Sequence, residues 1–323
     1  LRFESRFYNQ DFIAGSREQL PDACVDLIVT DPPYGIAGDT LHKHYNRDEA
    51  FVVDGYVEVP AAEYGDFSHR WITEAARILK PHGALYIVSG YTHLYHVLNA
   101  LRTTDLEEIN HIIWKYNFGV YTSTKYVSSH YHILYYEKPG PGKRTFNLEC
   151  RYGLGEKDGA DGSLNYQDRE DVWIIPREYK PGQVKNKNEL PTALLVKMLQ
   201  YSSQPGDLVC DPFMGGGSTA RVAIGLNRRF VGFEISPAIF AARVPGLRVL
   251  EPGHLLTTLR EPQARGPRNQ GLPWDEAEIA VCLARYAALR AEGCTKKAAI
   301  AALSEELGRG RWALERILKR HTG

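Results

Sequence analysis

The chain has 323 residues, 43% hydrophobic and 24% charged, a balance that suits one large or two modest globular domains and excludes a disordered or fibrous class. Lys plus Arg and Asp plus Glu both number 39, so no overall field announces nucleic acid, although a neutral total is compatible with a basic face. Five cysteines without a CxxC pair or metal spacing imply free thiols, and no apolar run reaches bilayer length or forms a signal-like N-terminal core, so a soluble, cytoplasmic protein without membrane contact is expected.

In chain order, the first clear element is CVDLIVTD, residues 24–31. This short apolar run of a buried strand ends in Asp31-Pro32-Pro33-Tyr34. Phe67, Trp71, Ala75 and Ile78 recur at helical spacing, which predicts a helix over 67–80. Pro81 and Gly83 predict the turn that stops it, and ALYIVSG (84–90) reads as the next strand. Strand, helix, strand in succession indicates a parallel sheet flanked by helices. From His111 to about Pro181 the chain is rich in Tyr, Lys and Gly, with short strand-like runs between Gly/Pro loops. We read it as an inserted, irregular segment on the sheet edge. PTALLVKMLQYSS (191–203) then predicts a helix, GDLVCD a strand, TARVAIGLNRR a helix and FVGFEIS a strand. The expected organisation is an α/β, Rossmann-like, doubly wound and mostly parallel domain over 1–260, with the insert at 111–187. A linker at 261–273 and a helical extension at 274–323 follow.

The run LVCDPFMGGGST carries the strongest local signal. A strand ends at Asp211, Gly215, Gly216 and Gly217 form a loop, and a helix begins near Ser218. Glu234 closes the next strand, about 20 residues beyond the loop. Glycines let a ligand approach the backbone, and an acid at the following strand end accepts hydrogen bonds from ribose hydroxyls. The loop lacks the G-x-G-x-x-G spacing of a dinucleotide site. It also lacks the Lys that precedes Ser/Thr in a P-loop. A nucleoside-type ligand is expected; a dehydrogenase or NTPase is not.

Taken together, Asp31-Pro32-Pro33-Tyr34 and DPFMGGGST resemble the motifs of S-adenosylmethionine-dependent DNA amino-methyltransferases, which modify adenine N6 or cytosine N4. Their order, with the proline motif first, is similar to the permuted beta group, and the resemblance spans about Asn9 to Ala242. It implies a class I methyltransferase fold, S-adenosyl-L-methionine as cofactor without a metal, and double-stranded DNA as partner. It also implies a homodimer, as is frequent in the group, and leaves open whether a restriction endonuclease accompanies the chain. By the same resemblance, Asp11 in NQDF faces the cofactor adenine, although Gln10 replaces the usual Gly. Pro191 and Thr192 meet its methionine end, although Leu190 stands where His is usual and Ala193 where Gln is. Asp31, Asp211, Phe213, Gly215, Gly217, Ser218 and Glu234 complete the expected cofactor site.

The proline motif has a chemical reason. An exocyclic amine is a poor nucleophile because its lone pair is delocalised into the ring. Asp31 accepts one N–H, a proline carbonyl (Pro32 first) accepts the other, and the amine is drawn toward tetrahedral geometry for in-line attack. Pro32 and Pro33 hold the acceptors rigid, and Tyr34 offers a face on which a flipped base stacks. An Asp before the prolines goes more often with adenine than cytosine in the resembled family. Target recognition is expected in the insert, through Lys115, Lys125, Lys143, Arg144, Arg151, Arg169, Arg177, Lys180, Lys185 and Lys187 acting collectively. Residues 42–51 either close over the base or form a loop excursion. His130 and His132 share a strand face but lack a third metal ligand. In the tail, Thr295 reads as a helix N-cap and Gly308 as a break. Arg309, Arg311, Arg316, Lys319 and Arg320 would serve a helix-turn-helix on DNA, unless the helices form a packing hairpin. The competing function is a DNA-binding regulator that keeps the fold without catalysis.

Overall fold

The computed structural model describes residues 5–33, 59–117, 119, 122–178, 189–260 and 274–322. Tyr34, residues 42–51, Lys180, Lys185, Lys187 and the 261–273 linker lie outside them. Two compact units are present, the larger spanning Leu1–Gly140 and Arg144–Pro262, the smaller Pro141–Lys143 and Gln263–Gly323.

The larger unit is built on an eight-stranded sheet. Its strands are β1 (Arg6–Tyr8), β2 (Val25–Thr30), β3 (Leu79–Ser89), β4 (Glu107–Lys115), β5 (His130–Glu137), β6 (Val172–Ile174), β7 (Leu208–Asp211) and β8 (Arg229–Phe233), in the order β1-β8-β7-β2-β3-β5-β4-β6. The first five in that order run parallel; β5 is antiparallel to both β3 and β4, and β6 is parallel to β4.

Helices cover both faces, which is why β2 reads as a continuous apolar run. Leu27 and Val29 pack on one side with α5 (Thr192–Ser202), α6 (Ser218–Gly225) and α7 (Pro237–Arg248). Val25 and Ile28 pack on the other with α1 (Phe12–Gln19), α2 (Tyr64–Ile78) and α3 (Leu94–Leu101). A short α4 (Leu164–Asp168) precedes β6. The α2 face carries Trp71 and Ile72, both fully buried, so truncating either to Ala would cost about 2–5 kcal/mol.

Two expectations change. The α2 helix begins at Tyr64 and ends at Ile78, so Lys80-Pro81-His82-Gly83 is not a free turn but an irregular start to β3. His82 adopts a left-handed φ of 62°, and the β2 pairing jumps from Val25↔Leu79 to Leu27↔Ala84. Proline ends the helix, and the extra residues are absorbed as a bulge. The insert, moreover, is not irregular throughout. His111–Lys115 and His130–Glu137 form a long antiparallel pair stabilised by same-face aromatics, Trp114 and Tyr131 stacking at 5.6 Å.

The smaller unit holds α8 (Glu276–Ala291), α9 (Lys296–Leu307) and α10 (Arg311–Thr322) around a core of Cys282, Leu289, Ile300, Leu303, Leu314 and Leu318. Asp275 and Thr295 cap the first two by accepting from the amides of Glu278 and Ala298. Gly308, with φ of 59°, ends α9 in the left-handed form that glycine adopts without strain. No helix among the described residues is long and apolar enough to cross a membrane.

Candidate active site

Parallel strands place their C-terminal ends on one edge, and this edge gathers the sequence motifs. After β1, the Asn9 amide donates to the Glu234 carbonyl (2.7 Å), and the Glu234 amide donates to the Tyr8 carbonyl (3.0 Å). The segment carrying Asp11 is thereby tied to the end of β8. Asp11 caps α1, its Oδ1 accepting from the Ala14 amide at 3.1 Å.

The Glu234 carboxylate also holds the glycine loop. One oxygen accepts from the Gly215 amide (2.9 Å) and the other from the Ser236 amide (2.7 Å). Burial raises its pKa, against those two bonds. Gly215 and Gly217 have φ of 50° and 76°, so both require glycine, and Gly217 opens α6. A Cβ on Gly217 would strike the Leu247 side chain, and one on Gly216 would strike the Glu189 carboxylate. The loop is thus a close-packed backbone cradle between α7 and the segment that leads into α5. Pro191 caps α5, and the Thr192 amide donates to Glu178 Oε1 at 2.6 Å. Ser218, half-buried, is the first residue of α6.

Asp211 joins the glycine loop to the proline motif. Its carboxylate is buried and accepts from Thr30 Oγ1 (2.9 Å), from the Phe213 amide (3.1 Å) and from Thr219. Burial pushes its pKa up to about 6 despite those three donors. Thr30 is the last residue of β2, so one hydrogen bond sets the register between the two motif-bearing strand ends. Phe213 packs against Phe12, Phe67 and Trp71 at 5.4–6.3 Å between ring centres.

Asp31, half-buried, follows β2 directly, with Pro32 buried behind it. The Pro33 carbonyl accepts from the Tyr64 hydroxyl at 2.8 Å. Tyr64 is 1% exposed and stacks on His93 at 4.5 Å, so its hydroxyl is firmly aimed. Sequence reasoning missed Tyr64. It begins α2, 31 residues from Pro33, and no local pattern links the two. The structure therefore brings Asp11, Asp31, Pro32, Pro33, Asp211, Gly215, Gly217, Ser218 and Glu234 to one edge, with Pro191 and Thr192 beyond the loop; Tyr34 is not described.

The basic residues of the insert are less free than their sequence suggests. Arg144 pairs with Glu137 (2.8 Å) and bonds the Tyr135 hydroxyl. Arg151 pairs with Asp168 (2.9 Å), Arg169 bonds Asn165, and Arg177 lies over the rings of Tyr116 and Tyr131. Arg144 and Arg151 thus hold the edge of the sheet together, whereas Arg169, Lys115, Lys125 and Lys143 are exposed. His111 and His132 hydrogen-bond each other (2.8 Å), and no group of three His, Cys, Asp or Glu able to hold a metal exists among the described residues.

A cavity of about 50 Å³ lies under the insert, lined by Tyr86, Tyr135, Phe146, Trp173, Lys197 and Tyr201. It has room for water but not for a nucleoside. Lys197 is held there over the Trp173 ring (4.3 Å) and 3.6 Å from Asp168; burial lowers its pKa to about 8.

Comparison with known proteins agrees with this arrangement. The N6/N4 methyltransferase family model (DNA methylase) matches residues 25–243. The Type II methyltransferase M.HinfI of Haemophilus influenzae is 28% identical over 72% of this chain and 66% of its own length. The Type II methyltransferase M.HpaI of Haemophilus parainfluenzae is 32% identical over 68% of this chain and 67% of its own. The chain thus spans about two thirds of the length of these relatives. Among solved structures, the Thermus thermophilus protein TTHA0409 complexed with S-adenosyl-L-methionine superposes with a TM-score of 0.53 at 25% identity, covering 75% of this chain and 93% of that one. With the family model matched from β2 into α7, through both motifs on the shared edge, the chain belongs to the N6/N4 DNA methylase family.

Proposed function

We propose that the chain transfers a methyl group from S-adenosyl-L-methionine to the exocyclic N6 of an adenine flipped out of duplex DNA. One observation carries the reading: Asp31 and a Tyr64-anchored proline turn stand on the same sheet edge as the glycine cradle held by Glu234.

The cradle fits the cofactor. Backbone at Gly215 and Gly217 is left-handed, and a Cβ on Gly217 would meet Leu247, so glycine keeps the main chain of this loop bare where a ligand can approach it. Glu234, Asp11, Phe213, Ser218, Pro191 and Thr192 would hold the nucleoside and amino-acid ends, while Asp211 braces the loop from beneath. When bound, the cofactor supplies a sulfonium-activated methyl group.

The remaining work belongs to the chain. Asp31 accepts one N–H of the target amine, and the Pro32 carbonyl accepts the other. Lone-pair density is thereby localised on nitrogen and aimed. Tyr64 holds the Pro33 carbonyl, so the turn that carries both acceptors does not have to reorganise during the reaction. The proton released as the new N–C bond forms passes to Asp31. Tyr34 is assigned the base-stacking role on the resemblance alone.

The test is direct. Purified protein, unmethylated duplex DNA and cofactor with an isotopically labelled methyl are incubated, and the DNA is digested to nucleosides for mass spectrometry. Labelled N6-methyladenine is expected. Labelled N4-methylcytosine would reassign the base, and no labelled base would overturn the reading.

A further inference from the structure

The family match ends at residue 243, and α10 lies well beyond it. Its sequence, RWALERILKRHT, divides cleanly by face. Leu314, Ile317 and Leu318 are buried in the core of the smaller unit. Trp312, Arg316, Lys319 and Arg320 are exposed, and at about 100° per residue they fall within an arc of about 100° on the other side. Trp312 is 81% exposed and lies within the same arc as the three cations. The helix carries four Lys/Arg against one carboxylate, Glu315, which is occupied by Arg311 at 2.8 Å. Among the described residues no acidic side chain pairs with Arg316, Lys319 or Arg320, which form a basic strip beside the exposed ring.

The preceding turn is built to hold that helix in place. Only Gly308, Arg309 and Gly310 separate α9 from α10, the short connection of a helix-turn-helix. Arg309, expected from sequence to face DNA, is instead 4% exposed. Its Nε donates to Glu278 Oε1 (2.7 Å), its guanidinium lies over Trp274 (4.6 Å), and its carbonyl accepts from Ser304 Oγ (2.8 Å). That arginine fixes the turn, and the residues after it make the surface.

We propose that the exposed face of α10, formed by Trp312, Arg316, Lys319 and Arg320, docks on duplex DNA, with the cations on phosphates and the tryptophan in the groove or against the sugar edge. Charge complementarity selects the partner: a basic strip with one aromatic ring suits a polyanion, whereas a second copy of this face would bring like charges together. The inference takes its polymer from the proposed function but assigns a surface that the methyl-transfer site does not need.

The experiment uses the full chain and a fluorescein-labelled DNA duplex, with anisotropy measured across a salt series. Arg316→Ala/Lys319→Ala/Arg320→Ala should weaken binding about tenfold near physiological salt and lower the magnitude of the log–log salt slope by about 2–3. Trp312→Ala should weaken binding without changing that slope, since it removes no charge. Thermal melting and cofactor binding should be unchanged, because all four side chains face solvent. Unchanged DNA affinity and slope in the triple variant would overturn the inference. So would a loss of affinity that merely follows a change in the DNA-free protein's sedimentation, which would make the face an interface between copies. A parent chain that methylates DNA while the triple variant binds normally sinks this surface alone; a parent that methylates nothing sinks the proposed function instead.

Discussion

Carboxylates do different work at the motif-bearing strand ends and at the antiparallel edge of the sheet. At the C-terminal ends of β7 and β8, buried carboxylates face backbone and a hydroxyl: Glu234 receives the amides of Gly215 and Ser236, and Asp211 receives the amide of Phe213 and the hydroxyl of Thr30. At the β5-β4-β6 half, carboxylates face cations and rings: Glu137 holds Arg144, Asp168 holds Arg151, and Lys197 sits over Trp173. A carboxylate that binds main chain fixes the course of a loop, which a ligand cradle requires. One that binds an arginine fixes a side chain, which serves the packing of an edge. We therefore propose the strand ends as the chemical region and the β5-β4-β6 edge as its scaffold.

The largest effect on this contrast should come from Gly217→Val. A β-branched residue at φ of 76° whose Cβ meets Leu247 should cost about 2–4 kcal/mol of stability and abolish measurable cofactor binding. Chemical denaturation and calorimetric titration check both. Near-normal cofactor affinity would mean the loop is no cradle.

Tyr64→Phe removes one hydroxyl and leaves the Pro33 carbonyl without that donor. We expect kcat to fall about tenfold and stability by about 1 kcal/mol, with cofactor affinity unchanged. An equal loss in cofactor binding would assign Tyr64 a structural role only.

On the scaffold side, Arg144→Ala should lower stability by about 1–3 kcal/mol through Glu137 and Tyr135 while leaving kcat within about twofold. A collapse of kcat at saturating DNA would move this arginine into the site.

The smallest effect is a change in pH dependence. Burial lowers the Lys197 pKa to about 8 from the usual 10.5, so the folded state releases this proton before the unfolded state does. Its contribution to stability therefore rises with pH between about 8 and 10.5, on the order of 1–3 kcal/mol at most. Lys197→Met should lose that rise relative to the parent, as read by urea midpoints at pH 7 and pH 10. Parallel profiles would show that Lys197 keeps its proton throughout.

The contrast also explains what could be read in advance. Asp31, the glycine loop and Glu234 announce themselves because their logic is local: a strand end, a left-handed loop, a helix start. A parallel sheet then gathers its strand ends on one edge, so the pattern alone brought them together. Tyr64 on Pro33, Thr30 on Asp211 and Arg151 on Asp168 are pairs between distant segments, and nothing in their own neighbourhoods marks them. Arg144 and Arg151, expected from sequence among the cations for DNA, instead pair with Glu137 and Asp168, since charge is visible in sequence and its partner is not. Arg309 is the sharpest instance, a basic residue in a DNA-like pattern that closes on Glu278 inside its own unit.

In the proposed mechanism Asp31 holds a DNA amine for methylation. Asp31→Ala should be compared with the parent by labelled-methyl transfer to unmethylated duplex DNA, with cofactor affinity measured on the same samples. A fall in transfer of about 100-fold or more, with cofactor affinity changed no more than a few-fold, is expected. Transfer at the parental rate by the Asp31→Ala protein would contradict the account.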